Sequence, residues 1–99
     1  MECNQVVLSG DLIECDPLRY TPAGIAVTEF KLRHASEQLE AGKMRQVECD
    51  ISAVALAEVA RAIAKLDPDS RLKLRGFLAK KSRMSTHLVL HVNHFELIG

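Results

Sequence analysis

Apolar and polar residues alternate along most of this chain, and the alternation predicts strands. Near the N-terminus, Val6, Leu8 and Leu12 alternate with polar residues, the period of two that indicates a half-buried strand. Gly10 interrupts this run, and a glycine within a strand indicates a bend or a close backbone approach. The same period predicts further strands at residues 26–33, 45–51, 71–81 and 86–98.

Two stretches read as connections between strands. In RYTPAGIAV, residues 19–27, Pro22 pre-sets φ and Gly24 tolerates a positive φ, so the stretch predicts a tight hairpin turn. Arg19 and Tyr20 then lie beside that turn. The polar stretch SEQLEAGKM, residues 36–44, contains a glycine and predicts a long hairpin loop.

The apolar period changes from two to three and four after Ser52, which predicts a helix. Six alanines between residues 53 and 64 favour that helix. Ser52 is the predicted N-cap, and the Asp67-Pro68 pair is expected to end the helix. The apolar face of this helix consists of Leu56, Val59, Ile63 and Leu66.

The order of these elements predicts an all-β OB-fold. Three strands, one helix and two strands in about 100 residues match a five-stranded, partly open barrel with one helix between strands three and four. Residues 1–99 are expected to form a single OB-fold domain. A ferredoxin-like α+β sandwich would need a second helix, and an immunoglobulin-like sandwich would not contain this alanine-rich one.

Charge is unevenly distributed although the formal net charge is zero. Residues 1–60 carry five basic and ten acidic side chains, whereas residues 61–99 carry eight basic and three acidic ones. Six basic residues and no acid lie between Arg71 and Arg83. Because the local field steers a polyanion, this distribution favours a nucleic-acid partner.

The segment from Arg71 to Arg83 is therefore the first candidate site. Apolar residues 72, 74 and 78 are predicted to face the barrel core, and the alternate residues share the other face. Phe77 on that face is a candidate for stacking on a base, whereas a bulge at Gly76 would reverse the parity and place Phe77 in the core. The strand candidates are Lys73, Arg75 and Phe77. A solvated charged face without a ligand is the alternative.

Two further groups of residues are candidates for nucleic-acid contact. The loop between the last two strands is one that OB-folds use to bind oligonucleotides, and here it carries Lys80, Lys81, Arg83 and His87. The third predicted strand and the loop after it carry Lys31, Arg33, Lys43, Arg45 and Gln46. Acidic residues are interspersed in this second group, so the alternative interpretation of its cations is ordinary mixed surface charge. For the loop between the last two strands, the alternative interpretation is a mobile, solubilising loop.

Other function classes lack their signals in the sequence. No apolar run approaches 18 residues, and the N-terminus has no signal-peptide pattern. Zinc-ligand spacing, a P-loop and a nucleophile elbow are all missing, so no metal, cofactor or catalytic site is predicted. The three cysteines, Cys3, Cys15 and Cys49, follow no disulfide or metal spacing, which fits a reducing cytoplasmic compartment.

Several stretches resemble a known family. NQVVLSGDLIECDPLRYTPAGIAVTEFKL is similar to the N-terminal region of the bacterial single-stranded DNA-binding protein, SSB. EAGKMRQVECDI, SRLKLRGFLAKKSR and LVLHVNHFELIG are similar to the corresponding stretches of its relative, the primosomal replication protein N or PriB family. The resemblance runs from Asn4 to Gly99. An SSB would continue into a Gly/Pro/Gln-rich linker and an acidic tip, so an end at Gly99 favours the PriB family.

That resemblance implies a homodimer of OB domains that binds single-stranded DNA and has no enzymatic activity. It also implies that the protein assists the PriA helicase in the cytoplasm, at replication forks of the nucleoid, with DnaT as a further candidate partner. Exposed apolar residues on the first and last strands are expected to form the dimer contact. Arg19 and Tyr20 are implied to take part in DNA binding or dimer packing.

One departure from the family pattern affects the predicted function. Where SSB and PriB have a tryptophan that stacks on bases, this sequence has Glu48, and Lys43 stands where PriB has a neighbouring aromatic. Binding of single-stranded DNA is therefore expected to be weaker and more electrostatic. A protein-interaction OB module with weak DNA binding and a minor SSB paralogue remain the alternatives.

Overall fold

The structure is a computed structural model that describes residues 2–99, and it confirms the OB-fold. Its sheet has the strand order β1-β5-β6-β4-β3-β2, and an additional β1–β3 pairing closes a five-stranded barrel. Neighbouring strands are antiparallel except β4 and β6, which are parallel. The elements are β1 (Val6–Cys15), β2 (Arg19–Tyr20), β3 (Ala26–Glu40), β4 (Lys43–Leu56), α1 (Ala57–Ala64), β5 (Arg71–Lys80) and β6 (Leu88–Leu97).

The barrel core follows from the alternation in the sequence. Inward-facing Leu32, Leu72, Leu74 and Leu90 are fully buried, and Phe30 is nearly so. Helix α1 adds Ala60 and Ile63 to the same cluster, with no exposed surface on either residue. One apolar face per element is therefore enough to fill this small barrel. At eight residues, α1 is far shorter than the roughly 20 needed to cross a bilayer, and no other helix occurs within residues 2–99.

Gly10 marks the close approach that the sequence predicts. A Cβ at this position would lie 2.8 Å from Leu32 Cγ and would collide with the carbonyl oxygen of Arg33. Strand β1 pairs with β5 from Val6 to Asp11 and with β3 from Asp11 onward. Ser9 O accepts a hydrogen bond from His34 Nδ1 at 2.7 Å. The His34 side chain therefore replaces a backbone partner of Ser9 at the point where β3 separates from β1.

The long hairpin loop predicted at residues 36–44 is wrong. Strands β3 and β4 continue in register to the pair Glu40–Lys43, and Ala41 and Gly42 form a two-residue turn with φ of 51° and 79°. Two positive φ values are typical of the type I′ turn that suits hairpin twist. Beyond the barrel both faces of this ribbon are solvated, so its polar residues give no alternation.

The predicted helix start at Ser52 is also wrong. Residues 52–56 belong to β4, which lies between β3 and β6, and α1 begins at Ala57 with a φ of 57°. Pairing of Ala53 and Ala55 with both neighbouring strands outweighs their helix propensity. Leu56, predicted on the buried helical face, is a strand residue and is 46% exposed.

Strands β5 and β6 lie close to their predicted positions, but two side chains differ. Leu78, predicted in the core, is 40% exposed, and Phe77 is 38% exposed, so a core position for Phe77 is wrong. A bulge does lie next to Gly76, as a shift in the β5–β6 register, but its extra residue is Asn93 of β6 and not a residue of β5. The parity of β5 is therefore preserved.

Candidate nucleic-acid interface

Strand β5 presents a row of basic and aromatic side chains on the outside of the barrel. Leu72 and Leu74 point inward and are fully buried, so Lys73, Arg75 and Phe77 face outward. Lys73 is half-buried, and the other two are exposed. Alternate residues of a strand are about 7 Å apart, so these side chains follow one another along a line. We call this row the β5 face.

The loop at residues 81–87 continues that row beyond the end of β5. A backbone bond of 2.9 Å from Lys81 N to His87 O closes its base. Inside the loop, Ser85 N donates to Ser82 O at 3.1 Å and His87 N donates to Ser85 Oγ at 2.9 Å. The exposed side chains of the segment include Lys80, Lys81, Arg83 and His87. The loop is therefore shaped by its own turns and presents its cations to solvent.

Ion pairing separates the basic residues into two groups. Six of them have an acidic partner within 4 Å: Arg19–Glu29, Lys31–Glu14, Arg33–Asp50, Arg45–Glu40, Arg61–Glu58 and Arg71–Asp11. Seven have no such partner among residues 2–99, and five of these form the β5 face and the loop: Lys73, Arg75, Lys80, Lys81 and Arg83. Unpaired positive charge is therefore concentrated there.

The ribbon formed by the outer parts of β3 and β4 has a different electrostatic character. Arg33 Nε donates to Asp50 Oδ1 at 3.1 Å, and this bond lowers the pKa of the Asp50 carboxyl and raises the pKa of the guanidinium. Glu48 is exposed and lies opposite Ala35, near enough to Arg33 to contribute to its raised pKa. Carboxylates thus offset two of the ribbon cations, Arg33 and Arg45.

The structure brings only part of the predicted site together. Lys31 borders a groove with Ser52 and Lys81, so the loop adjoins the base of the ribbon. Lys43, Arg45 and Gln46 lie on the outer part of the ribbon, on strand rather than loop, roughly 13–24 Å along β4 from Asp50, where the ribbon leaves the barrel. Two of these three residues bind neighbouring acids: Arg45 binds Glu40 at 2.7 Å and Gln46 binds Glu37 at 2.9 Å.

The hairpin predicted around Gly24 is confirmed. Gly24 has a φ of 84°, and Arg19 and Tyr20 pair with the start of β3. Tyr20 is 58% exposed, and Arg19 lies 3.6 Å from Glu29.

A small apolar cluster on the outside of the barrel escaped sequence reasoning. Val27, Val54 and Val89 are buried there, outside the main core. The available signal was two apolar residues, Val27 and Val54, on the otherwise polar sides of their strands.

Cys3, Cys15 and Cys49 are all exposed and free. Within residues 2–99, no three His, Cys, Asp or Glu side chains are grouped as metal ligands.

Comparison with known proteins places the chain among single-strand binding proteins. A family model described as "Another single-strand binding protein family" matches residues 4–94. The replication restart protein PriB of Nitrosomonas europaea is 45% identical over 95 residues, which cover 96% of this chain and 88% of that protein. PriB of Escherichia coli K12 is 33% identical over 98 residues, 96% of this chain and 94% of that protein. The solved structure of priB from Ralstonia solanacearum has a TM-score of 0.88 at 32% identity and covers 98% of this chain and 100% of that one.

Proposed function

The chain belongs to the PriB family of replication restart proteins, and on this premise we propose that it binds single-stranded DNA as an accessory factor in replication restart. Support comes from the names of its relatives and from the OB barrel, a fold that commonly binds oligonucleotides. No catalytic step is part of the proposal. The protein acts by holding DNA for other proteins.

A single observation carries this proposal: the unpaired cations cluster on the β5 face and on the adjoining loop. Of the seven basic side chains without an acidic partner among residues 2–99, five lie within eleven consecutive positions, from Lys73 to Arg83. A phosphate backbone needs cations spaced along its path, and neutralised phosphates release counterions. The ribbon residues Lys31, Arg33, Lys43, Arg45, Gln46 and Glu48, with Arg19 and Tyr20, are secondary contacts in this proposal.

Fluorescence polarisation with a labelled oligothymidylate tests the function. We expect saturable binding that weakens as salt rises, with a log–log slope of about −0.7 for each phosphate contact. A duplex of the same length is the control and should bind more weakly, because its bases are stacked inside the helix. Equal affinity for both forms would contradict specific binding of single strands.

Binding to the PriA helicase, with DnaT as a further partner, belongs to the same proposal. A second candidate function is a protein-interaction OB module that binds DNA weakly. It is favoured by the acid-paired ribbon and by Glu48 where the family pattern has a stacking tryptophan. Helicase assays with purified PriA separate the two. Stimulation that survives loss of the loop cations would favour the interaction module.

Assembly as a homodimer completes the proposal. From Val6 to Gly10, β1 pairs with β5 on one side, and within residues 2–99 no strand pairs with its other side. Val7 in this segment is 53% exposed. An open strand edge next to an exposed apolar side chain suits antiparallel pairing with a second copy about a two-fold axis. Leu88 and Leu97 of β6 are also exposed, whereas Leu90 and Val92 are used in the core.

A further inference from the structure

The β5 face places one aromatic ring within its row of cations. Phe77 follows Lys73 and Arg75 on the outer side of the strand, and Lys81 follows Phe77 at the start of the loop. These three cations are unpaired within residues 2–99. A polyanion that follows the cations therefore passes over the ring.

The bulge in β6 determines what supports that ring. Arg75 lies opposite His94, but Gly76 lies opposite Val92, so Asn93 is the additional residue. In uninterrupted register Phe77 would face Val92, whereas the bulge places His91 opposite it. The two rings stack with centroids 5.0 Å apart and an interplanar angle of 4°. Bulges commonly re-aim a side chain next to a functional site.

The opposite face of the Phe77 ring is open. Strand β5 lies between β6 and β1, so the ring face turned away from His91 points toward β1. A groove of about 390 Å³ lies there, lined by Phe77, Arg75, Gln5 and Val7 among others. Asn4 fixes the groove wall, because its side chain bonds both the N–H and the carbonyl of Leu78 at 2.9 Å. His91 is the one ring stacked on Phe77 among the described residues.

We propose that Phe77, supported by His91, is a stacking platform for an unpaired base of single-stranded nucleic acid, with Arg75 and Lys73 contacting the adjacent phosphates. This inference rests on the function proposed above and adds a stacking site to it. Unpaired bases stack readily on aromatic rings within positively charged grooves, irrespective of sequence. The platform supplies a π-face in a chain whose ribbon carries Glu48 at the family's stacking position.

Tryptophan fluorescence tests the platform directly, because the chain has no tryptophan. In the Phe77→Trp variant, we expect oligothymidylate to quench the emission at saturation. An abasic oligomer of equal length retains the phosphates and should bind with little quenching. Leu97→Trp is the matched control, since Leu97 is 62% exposed on β6 but outside the groove, and its emission should stay constant.

A second variant measures the contribution of the ring to affinity. Phe77→Leu keeps an apolar side chain of similar bulk, and we expect oligothymidylate affinity to fall roughly 5- to 150-fold, the range for loss of one stacked base. The salt slope should not change, because the ring carries no charge. Full affinity of Phe77→Leu with no quenching of Phe77→Trp would overturn the platform and leave the proposed function intact. A wild-type protein that binds no single strand at all would overturn both.

Discussion

At the scale of single residues, Glu48 is the clearest departure from a base-binding surface. It is exposed on the ribbon, on strand β4. Glu48→Trp removes an anion and supplies a ring beside Arg33, so we expect single-stranded DNA affinity to rise by roughly 1–3 kcal/mol. Polarisation titration measures this change, and Glu48→Gln separates the charge from the stacking. Unchanged affinity in Glu48→Trp, with an intact fold by circular dichroism, would place the ribbon outside the DNA path.

Gly76 shows how one residue without a side chain shapes the β5 face. A Cβ here would lie 2.8 Å from the carbonyl carbon of His91 and would overlap its oxygen. Both atoms belong to the backbone and cannot rotate away, so Gly76→Ala should lower the free energy of unfolding by about 2 kcal/mol or more. Urea denaturation measures it.

Gly24→Ala is the matched control for that substitution. Gly24 has a φ of 84°, but within residues 2–99 no atom beyond its own chain neighbours lies within 4 Å of the position that an alanine Cβ would take, so only backbone strain of about 1 kcal/mol is expected. Equal losses in the two variants would mean that the contact between β5 and β6 at the bulge is not tight.

At the scale of elements, sequence patterns predict those parts of the fold that bury one face. The positions of β1, β5 and β6 follow from alternation, because each strand has a wet and a dry side. The two wrong boundaries lie where that condition fails. Around Ala53 and Ala55, β4 is paired on both edges and filled with small residues, so propensity favours the wrong element. At residues 36–44 the ribbon is wet on both faces, and only the Ala41-Gly42 turn distinguishes it from a loop.

The loop at residues 81–87 gives the sharpest test at this scale. Lys80→Ala, Lys81→Ala and Arg83→Ala together should weaken single-stranded DNA binding and flatten the log–log salt slope by up to about 2. The double variant Arg61→Ala, Lys65→Ala is the control. It removes one charge from α1 and one from its C-cap, and Arg61 is already paired with Glu58 at 2.7 Å. Equal losses of affinity per removed charge in the two variants would mean that bulk electrostatics, and not the loop, accounts for the effect.

At the scale of the whole molecule, the sequence predicts the barrel but only part of the arrangement of charged side chains on its surface. The basic segment from Arg71 to Arg83 is visible in the sequence, but its separation from acids depends on which strands become neighbours. Lys31 and Glu14, for example, lie 3.8 Å apart only because β1 bends to pair with β3. The stacking of His91 on Phe77 depends on the bulge in β6, which the sequence pattern of β6 does not predict.

Assembly of the barrel into a homodimer is a prediction at the scale of the whole molecule. We expect sedimentation velocity at micromolar concentration to give twice the 11.0 kDa of one chain, because the free edge of β1 can continue the sheet into a second copy. Val7→Asp should shift the protein to monomer, since a two-fold axis brings both carboxylates into one contact.

Leu39→Asp is the matched control for the dimer. Leu39 is 71% exposed on the ribbon, away from β1, so this variant should remain dimeric. A wild-type protein sedimenting as a single 11.0 kDa species would contradict the dimer outright. Dimeric behaviour in both variants would instead move the contact away from Val7, toward the exposed leucines of β6.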